Sequence, residues 1–169
     1  GVFAGFQNRG VKLPALDVAF VSTVPLGGGL SSSAALEVCT ATLIEAATGK
    51  QIDPVEKALL AQKAEHDFAG MPCGIMDQFI VKLGKANHAL LIDCRDLNYQ
   101  EVPVPANAAV VICDSHIERS LAASAYNQRR AECEQAVELL KPFIPGIKAL
   151  RDVNSAQLAQ YGHVLSPVV

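Results

Sequence analysis

The sequence predicts a mixed domain of class α+β or α/β, and three observations carry that expectation. A strand-type run ends in a glycine loop that leads straight into a helix. Two further apolar runs have strand character. Helical stretches with legible start and stop signals lie between and after them. The chain has 169 residues, 50% of them hydrophobic and 18% charged, which suits one domain with a sizeable core and argues against disorder.

Residues 16–24 alternate and are rich in Val and Phe, so they read as a strand. Pro25 ends that run, and Gly27-Gly28-Gly29 follow at once. Ser31 to Ala47 reads as a helix, with serines at its start, many alanines, and Gly49 just past its end. A second helix starts at Asp53, a good N-cap. Pro54 fits its first position, Glu56 fits the capping box, and it runs to about Phe68. Gly70, Pro72 and Gly74 enforce an irregular loop, and a further helix begins near Ile75. Residues 88–94 and 108–114 read as strands. Arg119 to Lys141 is a long helical stretch that Pro142 stops. Leu150 to Val153 is ambiguous, and Asn154 or Ser155 could cap a short final helix. No internal repeat, low-complexity tract or linker interrupts the chain.

Charge and composition narrow the function classes. A net charge of −3 with no basic block argues against a nucleic-acid surface. Small anions remain open, because a nest of backbone amides holds phosphate inside an acidic protein. No apolar run reaches membrane-spanning length, and no signal segment opens the chain. The five cysteines, Cys39, Cys73, Cys94, Cys113 and Cys133, form no zinc knuckle or CxxC pair. They read as reduced, mostly buried thiols of a cytoplasmic protein.

The strongest chemical signal runs from Pro25 to Ala35. Its glycines remove side chains, so that backbone amides can approach a ligand. The helix behind adds unsatisfied amides and the positive end of its dipole, and the serines add hydroxyls. Together these features suit a polyphosphate. A Walker loop would need a Lys after the glycines, and a dinucleotide fingerprint a third glycine where Ser32 stands. A hydrolase elbow would need glycine at Ser33. The competing reading is a tight strand-to-helix turn with a serine N-cap.

A second constellation runs from Glu65 to Phe79. Asp77 follows a turn that can place it in a cleft, where a carboxylate can accept the proton of a hydroxyl attacking phosphorus. A lone Asp at a helix start can equally be an N-cap. Cys73 with His66 could form a thiol nucleophile, but no third orienting group is evident.

The string GGGLSSSAALE resembles the nucleotide loop of the GHMP kinases, whose members share a GLSSSA core, so the loop alone does not fix the substrate. PCGIMDQ at 72–78 resembles the galactokinase signature within that superfamily, and the likeness continues through 88–95 and 124–130. It covers nearly the whole chain, most weakly at 1–14 and after about 155. The resemblance implies an α+β fold like the GHMP kinase N-terminal domain, ribosomal protein S5 domain 2-like, with a mixed sheet and packed helices. Residues 1–169 would hold most of that domain, with room for the start of a C-terminal domain after about 150.

The resemblance also implies ATP and Mg²⁺ as cofactors and galactose as the small-molecule partner. The reaction would be phosphorylation at the sugar's 1-hydroxyl. By the same resemblance Pro25, Gly27, Gly28, Gly29, Leu30, Ser31, Ser32, Ser33 and Ala34 hold the nucleotide, and Ser32 with Glu65 holds the metal. Asp77 is the catalytic carboxylate, and Gly74, Asp77 and Tyr126 contact the sugar. From the residues alone, Glu65 could instead be a solvated helix carboxylate and Tyr126 a core residue of its helix. Arg129 and Arg130 read as surface or ion-pairing residues. The family's GRVNLIGEHTDY and GGGFGG motifs are absent, and Ala125 stands where many relatives have Glu. The chain is therefore expected to be a central piece without turnover of its own. One rival is a catalytically silent sugar and ATP sensor acting through protein contacts. Another is a hydrolase using Ser31 to Ser33, which lacks a Lys or His at sensible spacing. Oligomeric state is not legible.

Overall fold

The computed structural model describes residues 1–113 and 120–166. Two units divide the chain, Gly1–Ile117 and Glu118–Val169.

The first unit is built on four helices. α1 spans Val2–Gln7, α2 Ser32–Thr48, α3 Pro54–Ala69 and α4 Met76–Leu83. The composition of α2 explains its helicity: it is rich in Ala, Leu and Glu, and it stops at Gly49, whose φ of 68° closes the last turn. α3 begins where Asp53 accepts from the Val55 and Glu56 amides, with Pro54 at its first position. Small residues let these helices approach closely. Ala41, Ala58, Ala61 and Ala34 are buried, while Phe6, Ile44, Leu60 and Phe79 fill the space between. One core cluster joins Val2 and Phe6 of α1 to Ala41 and Ile44 of α2 and to Leu60 and Ala64 of α3. A second joins Ala58 of α3 to Ile75 and Phe79. Truncating Ile44 or Phe79 to Ala is expected to cost about 2–5 kcal/mol.

A hairpin follows. β1, His88–Ile92, pairs antiparallel with β2, Tyr99–Pro103, in the register His88 to Pro103 through Ile92 to Tyr99. β1 alternates between half-buried and exposed residues, and Ile92 packs on the Phe79 cluster. The Tyr99 ring meets Phe79 edge-on at 5.7 Å.

The α+β class therefore holds, with a sheet that is one antiparallel pair among the described residues where a mixed sheet was expected. The run 16–24 forms no ladder, nor do the described residues 108–113 of the run 108–114. A strand has no internal hydrogen bonds and exists only against a neighbour, and none pairs with either run among the described residues. Val21 is 98% exposed and Val110 81% as a result.

In the second unit, α5 spans Ser120–Leu140 and α6 Ser155–Tyr161. Arg119 lies outside the described residues. Residues Leu150–Asp152, ambiguous in the sequence, form a 3-10 turn. Asn154 caps α6: its side chain accepts from the Gln157 amide while the Gln157 side chain accepts from its own. Val137, Leu140, Ile144 and Ile147 form the core here, and Phe143 stacks on Tyr161 at 5.3 Å.

All five cysteines are free, in line with the reduced reading. Their burial is not as expected: Cys39, Cys94, Cys113 and Cys133 are exposed and Cys73 is half-buried. Cys39 and Cys133 fall on the solvent sides of helices whose core positions are taken by Ala, Val, Ile and Leu.

Candidate active site

The glycine loop enters α2 through alternating backbone handedness. Gly27 and Gly29 have φ of 74° and 75°, and Ser31 has 57°, while Gly28 and Leu30 stay on the negative side. Alternation of this kind turns successive amides toward one concavity, the construction of an anion nest. Glycine is needed at 27 and 29 for the left-handed backbone, although a Cβ at Gly27 would meet nothing within 4 Å. Ser31 is the N-cap of α2 yet makes no side-chain cap bond. The turn-with-serine-cap alternative therefore fails at its cap. No acidic side chain occupies the first turn of α2, so its amides and positive dipole end face the loop.

Asp77 lies in the first turn of α4, half-buried, and the N-cap there is Ile75. Asp77 is thus not an N-cap. The preceding loop is held from α3. Gln62 Nε2 donates to the Cys73 carbonyl at 3.1 Å, and His66 Nε2 donates to the same oxygen at 2.8 Å. His66 therefore serves the loop backbone rather than the Cys73 thiol. Burial, first of all, pushes that thiol above its ordinary pKa, which disfavours the thiolate. A thiol nucleophile has no support. Gly74 is exposed, and a Cβ there would project into open space.

Glu65 is buried against α2, not solvated. The side chain facing it is Glu37, which the sequence reading did not single out. Burial and then a hydrogen bond shared with Glu65 push Glu37 up to about 8. Gln78 Nε2 donates to Glu37 Oε2 at 3.2 Å and touches Cys73 Sγ at 3.8 Å. Glu65 Oε2 and Gln78 Oε1 are buried without a hydrogen-bond partner among the described residues. Glu37 and Gln78 end the strings GGGLSSSAALE and PCGIMDQ, but only packing shows that they meet.

An orphaned, buried carboxylate oxygen beside a helix start rich in hydroxyls suits a hard cation. No group of three or more His, Cys, Asp and Glu residues could hold a metal among the described residues. Mg²⁺ needs no such cage, because it keeps several waters and takes one or two protein oxygens plus phosphates. Glu65 fits that donor set, with Ser32 at the first position of α2.

Tyr126 belongs to α5 in the second unit and is 44% exposed, so it is not a core residue of its helix. Arg129 and Arg130 make ion pairs with Glu132 and Glu134 within that helix, as their surface reading implies. Among the described residues, no helix is long and apolar enough to cross a membrane.

Residues 2–85 match the family described as GHMP kinases N terminal domain. The chain is 55% identical over 167 residues to a galactokinase of Chloroflexus aurantiacus, covering 99% of this chain and 43% of the relative. It is 55% identical over 165 residues to a galactokinase of Roseiflexus sp., covering 98% of this chain and 42% of the relative. The chain therefore spans less than half the length of these curated relatives. A crystal structure of Lactococcus lactis galactokinase complexed with galactose shares the fold, with a TM-score of 0.77 and 24% identity over 98% of this chain and 43% of that one. These matches assign residues 2–85 of this chain to the GHMP kinases N terminal domain family.

Proposed function

We propose that this chain forms part of a galactokinase, transferring the γ-phosphoryl group of ATP to the 1-hydroxyl of galactose. The observation that carries the reading is the convergence of α2, α3 and α4 on one cluster. The loop serines open α2, Glu65 comes from α3, and Asp77 stands beside Gln78 on α4. The names of the relatives supply the sugar.

In this reading the amides and hydroxyls from Pro25 through Ala34 cradle the phosphates. Ser32 and Glu65 hold Mg²⁺, which when bound neutralises phosphate charge as it builds up. Asp77 accepts the proton of the attacking hydroxyl or orients it by charge. Gly74 leaves room for the sugar. Most of the rate comes from positioning and electrostatics, because phosphoryl transfer asks little covalent chemistry of the protein. Residues 1–169 hold most of the N-terminal domain, and a location in the cytoplasm accords with five free thiols.

The test is a coupled ADP assay on the full-length protein with galactose and a panel of other hexoses. Galactose-dependent turnover on the order of 1–100 s⁻¹ is expected. A preparation that binds ATP but releases no ADP with galactose would refute the proposal. The 169-residue chain alone is expected to show no turnover, since it spans 43% of its galactokinase relatives. Turnover by that chain at the full-length rate would overturn its reading as an inactive piece.

A further inference from the structure

The proposed chemistry needs two helix starts in fixed relation: that of α2, which carries the serines, and that of α4, which carries Asp77. A single polar contact is seen between their side chains among the described residues, Gln78 Nε2 to Glu37 Oε2 at 3.2 Å. Gln78 is the neighbour of Asp77 in sequence, and Glu37 lies in the second turn of α2. Gln78 is 1% exposed and among the largest fully buried side chains.

Stability alone does not account for a glutamine there. Its Oε1 is buried without a partner among the described residues, and an orphaned amide oxygen is a cost that Leu or Met at the same volume would avoid. What glutamine provides is a directed bond. The amide reaches Glu37 on one helix and Cys73 Sγ in the loop before α4, and Gln62 and His66 hold the carbonyl of that same Cys73 from α3. Glu37 in turn faces Glu65. The residues that would bind metal and accept the proton are thus tied through two side chains that touch neither substrate.

Resting on the galactokinase reading, we infer that Glu37 and Gln78 are a positioning pair that sets Asp77 on α4 against the phosphate-binding start of α2. Neither is a catalytic residue. Each acts through the geometry of another, and a misplacement on the order of 1 Å can cost about 100-fold in rate.

The experiment is a double-mutant cycle in the full-length protein with Glu37→Leu, Gln78→Leu and both together, plus Glu37→Gln. Each is measured for kcat, KM for ATP and for galactose, ATP affinity without sugar, and thermal midpoint. Both single variants are expected to lose about 10- to 100-fold in kcat. The KM values and ATP affinity should move about 3-fold or less, and the thermal midpoint of Gln78→Leu should hold or rise. The double variant should be no worse than the poorer single, because the two act as one unit. Glu37→Gln keeps an acceptor oxygen for the Gln78 amide and should recover most of the loss. Full kcat in folded Gln78→Leu, or losses that multiply in the double variant, would overturn the pairing. A wild type without galactose-dependent turnover would strike the galactokinase reading instead. The pairing would then be judged on whether the thermal midpoints of the four variants couple.

Discussion

The interface between α2 and α3 closes on polar pairs at two places, about two turns apart on each helix. At one, Lys57 meets Glu45; at the other, Glu65 meets Glu37. The first pair is complete. Both side chains are 3% exposed, the charges are opposite, and Glu45 Oε1 also accepts from the Ile52 amide at 3.0 Å. Lys82 lies nearby, and burial first, then the charge of Lys57, hold its amine below the ordinary lysine value. The second pair is incomplete. Two carboxyls face each other, and Glu65 Oε2 goes without a hydrogen-bond partner among the described residues. The helices and their antiparallel arrangement are shared, but the second pair lies shallower, with Glu65 buried and Glu37 half-buried. A second Lys at 65 would have given a second ion pair. The incomplete pair sits at the end of the interface where the phosphate-type loop enters, which is where a cation would complete it.

The largest effect expected on the incomplete side is that of Asp77→Asn in the full-length protein. The change is nearly isosteric and removes charge and basicity. The loop before it stays held through Cys73 by Gln62 and His66. kcat should fall by roughly 10²–10⁴-fold if Asp77 is the general base. The thermal midpoint and ATP affinity should hardly move. A folded variant with retained kcat would take Asp77 out of the mechanism. The complete side should show the opposite split. Lys57→Ala leaves the Glu45 charge buried and unpaired, which is expected to cost about 3–5 kcal/mol in urea unfolding. kcat per folded molecule should stay unchanged. If Lys57→Ala lost activity without losing stability, the division between the two pairs would collapse.

What was legible in the sequence follows how local each element is. α2, α3 and α4 were readable because a helix closes its own hydrogen bonds, and Asp53, Pro54 and Gly49 mark their ends. The runs 16–24 and 108–114 carry strand composition just as plainly, yet a strand is a pairwise object and composition does not name its partner. β2 went unread for the reverse reason. Tyr99–Pro103 is wholly exposed and without alternation, and pairing with β1 makes it a strand. α1 was missed because six residues are too few to announce a helix, and Val2 and Phe6 hold it by packing. At the site, the loop and Asp77 stood out by motif. Glu37 and Gln78 end the two motif strings yet carried no role there, nor did Gln62, because glutamate and glutamine on helices are usually solvated, and His66 was read as a partner of the Cys73 thiol rather than of its carbonyl. Their roles arise from contacts between residues far apart in the chain.

The smallest effect separates the two pairs most directly. Glu65→Gln keeps the size of the side chain, ends the contact between two carboxyls and supplies an amide that can donate to Glu37. If Glu65 were structural in the way Glu45 is, this change would disturb the fold and leave metal dependence alone. If it is the metal carboxylate, the order reverses. The Mg²⁺ concentration for half-maximal rate should rise roughly tenfold or more, about 1.4 kcal/mol, because a charged oxygen ligand becomes a neutral one. Galactose binding without nucleotide should barely move, since the sugar is expected at Gly74 and Asp77. The thermal midpoint without Mg²⁺ should hold or rise, because a buried orphan acceptor and a like-charge contact are removed together. The measurements are a Mg²⁺ titration of the initial rate, calorimetric galactose binding, and a melting curve in chelator, all on one preparation. An unchanged Mg²⁺ dependence with a lowered midpoint would place Glu65 with Glu45 among the structural carboxylates.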